Sequence, residues 1–152
     1  MTDLPTRQDE AWRWAKLGPA RAHAGHAPPD NDELPEVAAH WLDLAGARHL
    51  FVGGHPVEGP AMPPEPDASA PRHPLADLAA ASASAGFTLA VAEGADAGTV
   101  QLMQVGIGGA AHGVTRVRLA PGARLTIVET LADDRVDHWL NHRFDADVGE
   151  GA

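Results

Sequence analysis

The sequence predicts an α+β chain. Three observations carry that reading. The first half holds short helix-compatible segments separated by proline- and glycine-rich connectors. From Phe87 onward the texture changes to short runs of β-branched and alternating apolar residues. Within that second half a Gly-Ala turn signal recurs at Glu93-Gly94-Ala95, Pro121-Gly122-Ala123 and Glu150-Gly151-Ala152, with starts 28 and 29 residues apart.

The first segment after Leu4-Pro5 offers Thr6 as an N-cap, with Asp9 and Glu10 at the positive end of a helix dipole and Gly18-Pro19 as a stop. Trp12, Trp14 and Leu17 do not share one face, so this helix must dock on something, and packing of Trp12 and Trp14 into a core is expected. Residues 19–33 read as an exposed connector. Residues 34–45 form a second helix candidate, with Pro35 suited to a first turn and Val37, Ala38, Trp41, Leu42 and Ala45 at helical spacing. Leu50-Phe51-Val52 followed by Gly53-Gly54 predicts a hairpin whose return strand is short because of Pro56. Residues 59–74 hold six prolines and read as a linker. His73 to Ala85 is a third, alanine-rich helix candidate.

Strand signals then follow at Phe87–Val91, Thr99–Val105, Val114–Leu119 and Arg124–Leu131, and Phe144–Val148 alternates. The glycines of 106–113 read as a flexible turn. A strand–turn–strand unit recurring at this period implies a solenoid coil or a stack of long hairpins, in which each unit leaves its apolar face open to the next. The two parts divide at 86: residues 1–86 as a helical subdomain with the hairpin and linker, and 87–152 as the repeat region, which stops on its third turn.

Composition removes several function classes. There is no cysteine, which excludes disulfides, thiolate catalysis and cysteine ligation of zinc or an iron–sulfur cluster by this segment. A net charge of −10 repels phosphate backbones, so nucleic acid is not an expected partner. Without an apolar signal region or a run of the ~20 apolar residues that a membrane span needs, the expectation is a cytoplasmic protein with no membrane partner.

Nine histidines raise a metal hypothesis, and His138 with His142 is the pair that carries it. On a helix the two imidazoles would share one face. In a strand, which the repeat favours, they would lie ~13 Å apart, too far for one ion. The remaining histidines read mostly as surface or helix-end residues. Asp133, Asp134 and Asp137 cluster in what reads as a solvated turn, and Gly106-Ile107-Gly108-Gly109 lacks the Lys-Ser/Thr of a phosphate loop. No catalytic or cofactor-binding residue is assigned.

Three stretches together resemble SufD-type iron–sulfur cluster assembly proteins of the SufB/SufD family. Leu4-Pro5-Thr6-Arg7 with Asp9–Trp14 resembles their opening, with Trp14 where the family usually has tyrosine. Arg48–Gly54 resembles their Leu-Val-Phe-Val-Asn-Gly hairpin, with Gly53-Gly54 in place of Asn-Gly. Pro121–Glu129 is similar to their Gly-Ala-x-Leu-Thr-Leu-Val-Glu strand pair. The resemblance implies a small N-terminal helical subdomain leading into the first coils of a right-handed parallel β-helix, covering about the first third of such a subunit. It implies a non-enzymatic scaffold with SufB-like and SufC-like partners. The full complex handles Fe–S clusters and uses ATP through its SufC subunit, with no cofactor held by this segment. The family's SufC-docking helices, main SufB contacts and cluster-handling residues lie later than this chain reaches, so none maps onto it. An exposed β edge also implies homodimerisation. The alternative is a self-contained small β-rich domain that binds a ligand or a protein.

Overall fold

The computed structural model describes residues 4–29, 36, 40–58, 73–82, 86–133 and 137–152. It is an α+β fold with two α-helices and strands in two sheets. A 3₁₀ turn (Glu10–Trp12) precedes α1 (Gly18–His23). Strands β1 (Ala47–Val52) and β2 (His55–Pro56) come before α2 (Pro74–Ser82). Then follow β3 (Gly86–Val91), β4 (Asp96–Gly106), β5 (Gly109–Leu119), β6 (Arg124–Asp133) and β7 (His138–Val148). One sheet has the order β2-β1-β4-β6 and the other β3-β5-β7. Neither closes into a barrel among the described residues.

From β3 the chain alternates between the sheets, and β5, β6 and β7 each pair in parallel with the strand two before them. Gly86 lies opposite Val114 and Gly109 opposite His138, offsets of 28 and 29 residues. Between β4 and β6, Asp96 faces Arg124, and the register slips by one at an irregularity before Thr99 meets Thr126. Parallel strands need a crossover between them, and here the crossover of one sheet is a strand of the other. The Gly-Ala repeats are the turns between them. Gly94, Gly122 and Gly151 have φ of 65°, 67° and 70°, the left-handed region that side-chain-bearing residues avoid. The turns stack: Gly94 N donates to Pro121 O and Gly122 N to Glu150 O, each at 3.0 Å.

A parallel sheet covered on both faces reads as a continuous apolar run, and Val100–Ile107 is buried throughout. Val100 and Leu102 point between the sheets and pack with Phe51, Phe87, Leu89, Leu125 and Ile127. Met103, Val105 and Ile107 form a second cluster on the other face with Trp41, Leu50 and Val52. Residues 42–44 are tied to that outer face by the buried amide of Gln101. Its Oε1 accepts from Leu42 N (3.1 Å), and its Nε2 donates to Leu42 O (3.3 Å) and Leu44 O (3.1 Å). Helix α2 packs across β5 and β7 on the outside of the three-stranded sheet.

Several local expectations change. The first helix is a single 3₁₀ turn, and the helix lies where Gly18-Pro19 was expected to stop one: Pro19 sits in its first turn, where a missing N–H does no harm. Trp14 is 85 % exposed rather than in a core. The second helix candidate falls largely outside the described residues, and 41–46 are bends. The 59–74 linker lies outside them except His73 and Pro74, the latter opening α2. The turn at 106–113 shrinks to Ile107-Gly108, because Gly109–Gly113 continue β5. The hairpin forms as read, Val52 opposite His55, but β1 also pairs in parallel with β4, Ala47 facing Val100.

The stacked turns predict that Gly122→Ala lowers unfolding free energy by about 1–2 kcal/mol, since only backbone strain is added there. Its added Cβ would meet nothing closer than 3.8 Å. Gly122→Asn is expected to lose less, because asparagine tolerates this region. Urea denaturation of the two variants checks the order.

Candidate functional site

The last strands of both sheets, β6 and β7, have no neighbour beyond them among the described residues. Along these two edges Leu131, Phe144 and Val148 remain 61 %, 45 % and 56 % exposed. Their counterparts one coil earlier, Gln104, Thr115 and Leu119, are buried or half-buried. Among the described residues these side chains form an apolar patch along the β6 and β7 edges.

A polar line joins these two edges. Glu129 on β6 places Oε1 2.5 Å from Nδ1 of His142 on β7. The other ring nitrogen of His142, Nε2, lies 3.0 Å from Thr115 Oγ1 on β5. The carboxylate holds the proton on Nδ1, so in the neutral ring Nε2 accepts the Thr115 hydroxyl hydrogen. Carboxylate, imidazole and hydroxyl stand in the order used by serine hydrolases. Yet Thr115 is 0 % exposed, so its oxygen meets no substrate. The line binds three strands together and leaves no side-chain N or O both buried and unpartnered among the described residues. The ring fits because the preceding coil has Gly113 beneath it, where a Cβ would lie 3.0 Å from His142 Cδ2.

His138 and His142 are both on β7, as the strand reading requires. They do not converge. His138 lies over Gly106, whose added Cβ would fall 2.2 Å from the His138 ring. Among the described residues no group of three His, Cys, Asp or Glu is placed to hold a metal ion. Of the acidic cluster, Asp134 lies outside the described residues, and Asp137 takes a φ of 68° at the entry to β7. Arg116 and Arg143 both reach Asp145, at 3.4 and 2.8 Å, on the outer face of β5 and β7.

One histidine escaped the sequence reading. His112 on β5 is buried, and burial pushes its pKa below the ordinary 6.5. Asn141 Nδ2 donates to Leu75 O at 2.9 Å and lies 3.2 Å from His112 Nδ1. The carbonyl fixes the amide's orientation, so its second N–H points at Nδ1, which must be an acceptor. Trp139 packs edge-on against the ring, centroids 5.4 Å apart. No signal along the chain separates His112 from its neighbours; the pairing with Asn141, 29 residues on, becomes visible only with the coil register. Trp12, by contrast, meets His73 with ring centroids 5.1 Å apart.

No family model, curated protein or solved structure matches the chain. No helix among the described residues is long and apolar enough to cross a membrane.

Two outcomes follow. Thr115→Val leaves His142 Nε2 without its partner and should lower stability by about 1–3 kcal/mol, with a coupling to Glu129→Gln in a double-mutant cycle. For His112, the unfolded chain takes up a proton near 6.5 and the folded chain only at lower pH. Its contribution is therefore whole above 6.5 and declines as pH falls through 6.5 toward the lowered value. His112→Gln should show a smaller drop in Tm between about pH 7.5 and about pH 5 than the parent chain.

Proposed function

We propose that this chain is a scaffold segment of the SufD type, without catalysis of its own, whose two sheets are the opening coils of a right-handed parallel β-helix. One observation carries the reading. Strands of both sheets pair in parallel with strands 27 to 29 residues earlier, and the last pair ends on the uncovered Leu131, Phe144 and Val148. Such a face is completed by another coil of the same kind. The positions of the resembling stretches support the same reading: Arg48–Gly54 spans β1 and its turn, and Pro121–Glu129 spans a coil turn and half of β6. The polar line through Thr115 serves this role by locking a coil rather than by turning over a substrate. In this proposal the partners are SufB-like and SufC-like subunits, the segment holds no cofactor, and its place is the cytoplasm.

The test is reconstitution in two pieces. Co-expressed with a SufD β-helix that lacks its own N-terminal region and first coils, the chain should co-purify at one-to-one stoichiometry and bring SufB and SufC with it. Phe144→Asp and Leu131→Asp place charge on the contact without touching the folded core, and should weaken that association by tenfold or more. Alone, the chain should self-associate through the same edges; light scattering that finds a monomer at every concentration, together with no capture of the partner piece, removes the proposal.

A further inference from the structure

A cleft of about 320 Å³ lies on the side of the molecule where residues 24–28, the β1–β2 turn and the start of β5 meet. Its volume is at the small end of the range for ligand sites. Three histidines line it, His26, His55 and His112, together with Ser82 from the end of α2, and the described lining residues include no carboxylate. That is unusual on a chain with 21 acidic residues and a net charge of −10.

The walls are built by close backbone approach. Ala110 N donates to His26 O at 2.7 Å, pinning residues 26–27 to β5. Gly109 makes room for them: a Cβ there would lie 2.5 Å from Ala27 O. Gly54 abuts the floor, where a Cβ would lie 2.8 Å from His112 O. These contacts hold the three histidines around one space.

His112 sets what that space can take. Asn141 occupies Nδ1 as a donor, so the neutral ring carries its hydrogen on Nε2. The described residues supply no acceptor for that hydrogen. No side-chain nitrogen among them is both sealed from solvent and unpartnered, so this N–H opens on the cleft. A metal ion needs the lone pair that Nε2 has given to its hydrogen. An oxygen acceptor needs the donor it presents. His26 and Ser82 can each add a donor, and no acidic side chain among the described lining residues opposes an anion.

We propose that this cleft is a binding site for a small carboxylate, held by the Nε2–H of His112 and oriented by Asn141. The site is separate from the apolar patch along β6 and β7, and its test does not depend on the scaffold reading.

The experiment is a titration of the ¹⁵N-histidine-labelled full chain with acetate, followed through the imidazole nitrogens. Acetate should move the His112 Nε2 resonance saturably while Nδ1 keeps the shift of an unprotonated nitrogen. Acetamide should bind at least tenfold more weakly. Followed through the His26 and His55 nitrogens, which belong to the same cleft lining, His112→Phe should abolish saturation, whereas His112→Gln, which keeps an N–H near the same place, should bind within about threefold of the parent. That pair separates loss of the donor from loss of the fold. Acetate shifts that never saturate, equal response to acetamide, or Zn²⁺ taking Nε2 of the unmodified chain would each overturn the assignment.

Discussion

Everything in this molecule rests on parallel pairing between strands about 28 residues apart. A parallel strand cannot find its partner by a tight turn; the chain must cross to the other sheet and return in step. The step is set at the corners. Each corner glycine occupies the left-handed region, and Gly94 and Gly122 each donate to a carbonyl of the next corner, Pro121 O and Glu150 O. The inward residues then fall into columns: Phe87, Thr115 and Phe144 lie in one, Leu102 and Glu129 in another. A shift of one residue would turn every inward side chain outward, so the apolar columns and the corner geometry enforce the same register.

Polar groups inside such a stack must be paired with their neighbours in the next coil. Thr115 reaches down to His142, and His142 reaches across to Glu129. On the outer face of the three-stranded sheet, His112 is held by Asn141 of the following coil. His112 gains its tautomer from Asn141, 29 residues on, and His142 gains its own from Glu129 on the facing sheet. Leaving such a group unpaired costs about 1–3 kcal/mol, so each line also selects the correct stacking of coils over a slipped one.

The second half of the fold is legible in the sequence because its signals are local and repeated. The Gly-Ala corners and the alternating runs mark all five strands from β3 to β7, and Val100, Leu119 and Ile127 lie on strands as that reading needs. The first half is less so. Residues 42–44 have a helical pattern, yet Gln101 binds their backbone in a bent conformation, a contact across 57 to 59 residues that no local rule contains. The glycines near 109–113 look like a loop in sequence but lie in a strand. Glycine weakens a strand unless something needs the space, and the claimants are the backbone of 26–27 and the ring of His142, both remote. The partners of His112 and His142 are likewise set by register, so the histidine count alone gave no means to choose among nine.

The four-stranded sheet is asymmetric at its borders. At one side stands β2, two residues long and ending on Pro56, which has no N–H to offer an incoming strand. At the other stands β6, ten residues with apolar Leu131 beside it. Among the described residues the two borders of this sheet are thus unequal: β6 offers ten residues of main chain to a further strand, and β2 offers two, one of them without an N–H.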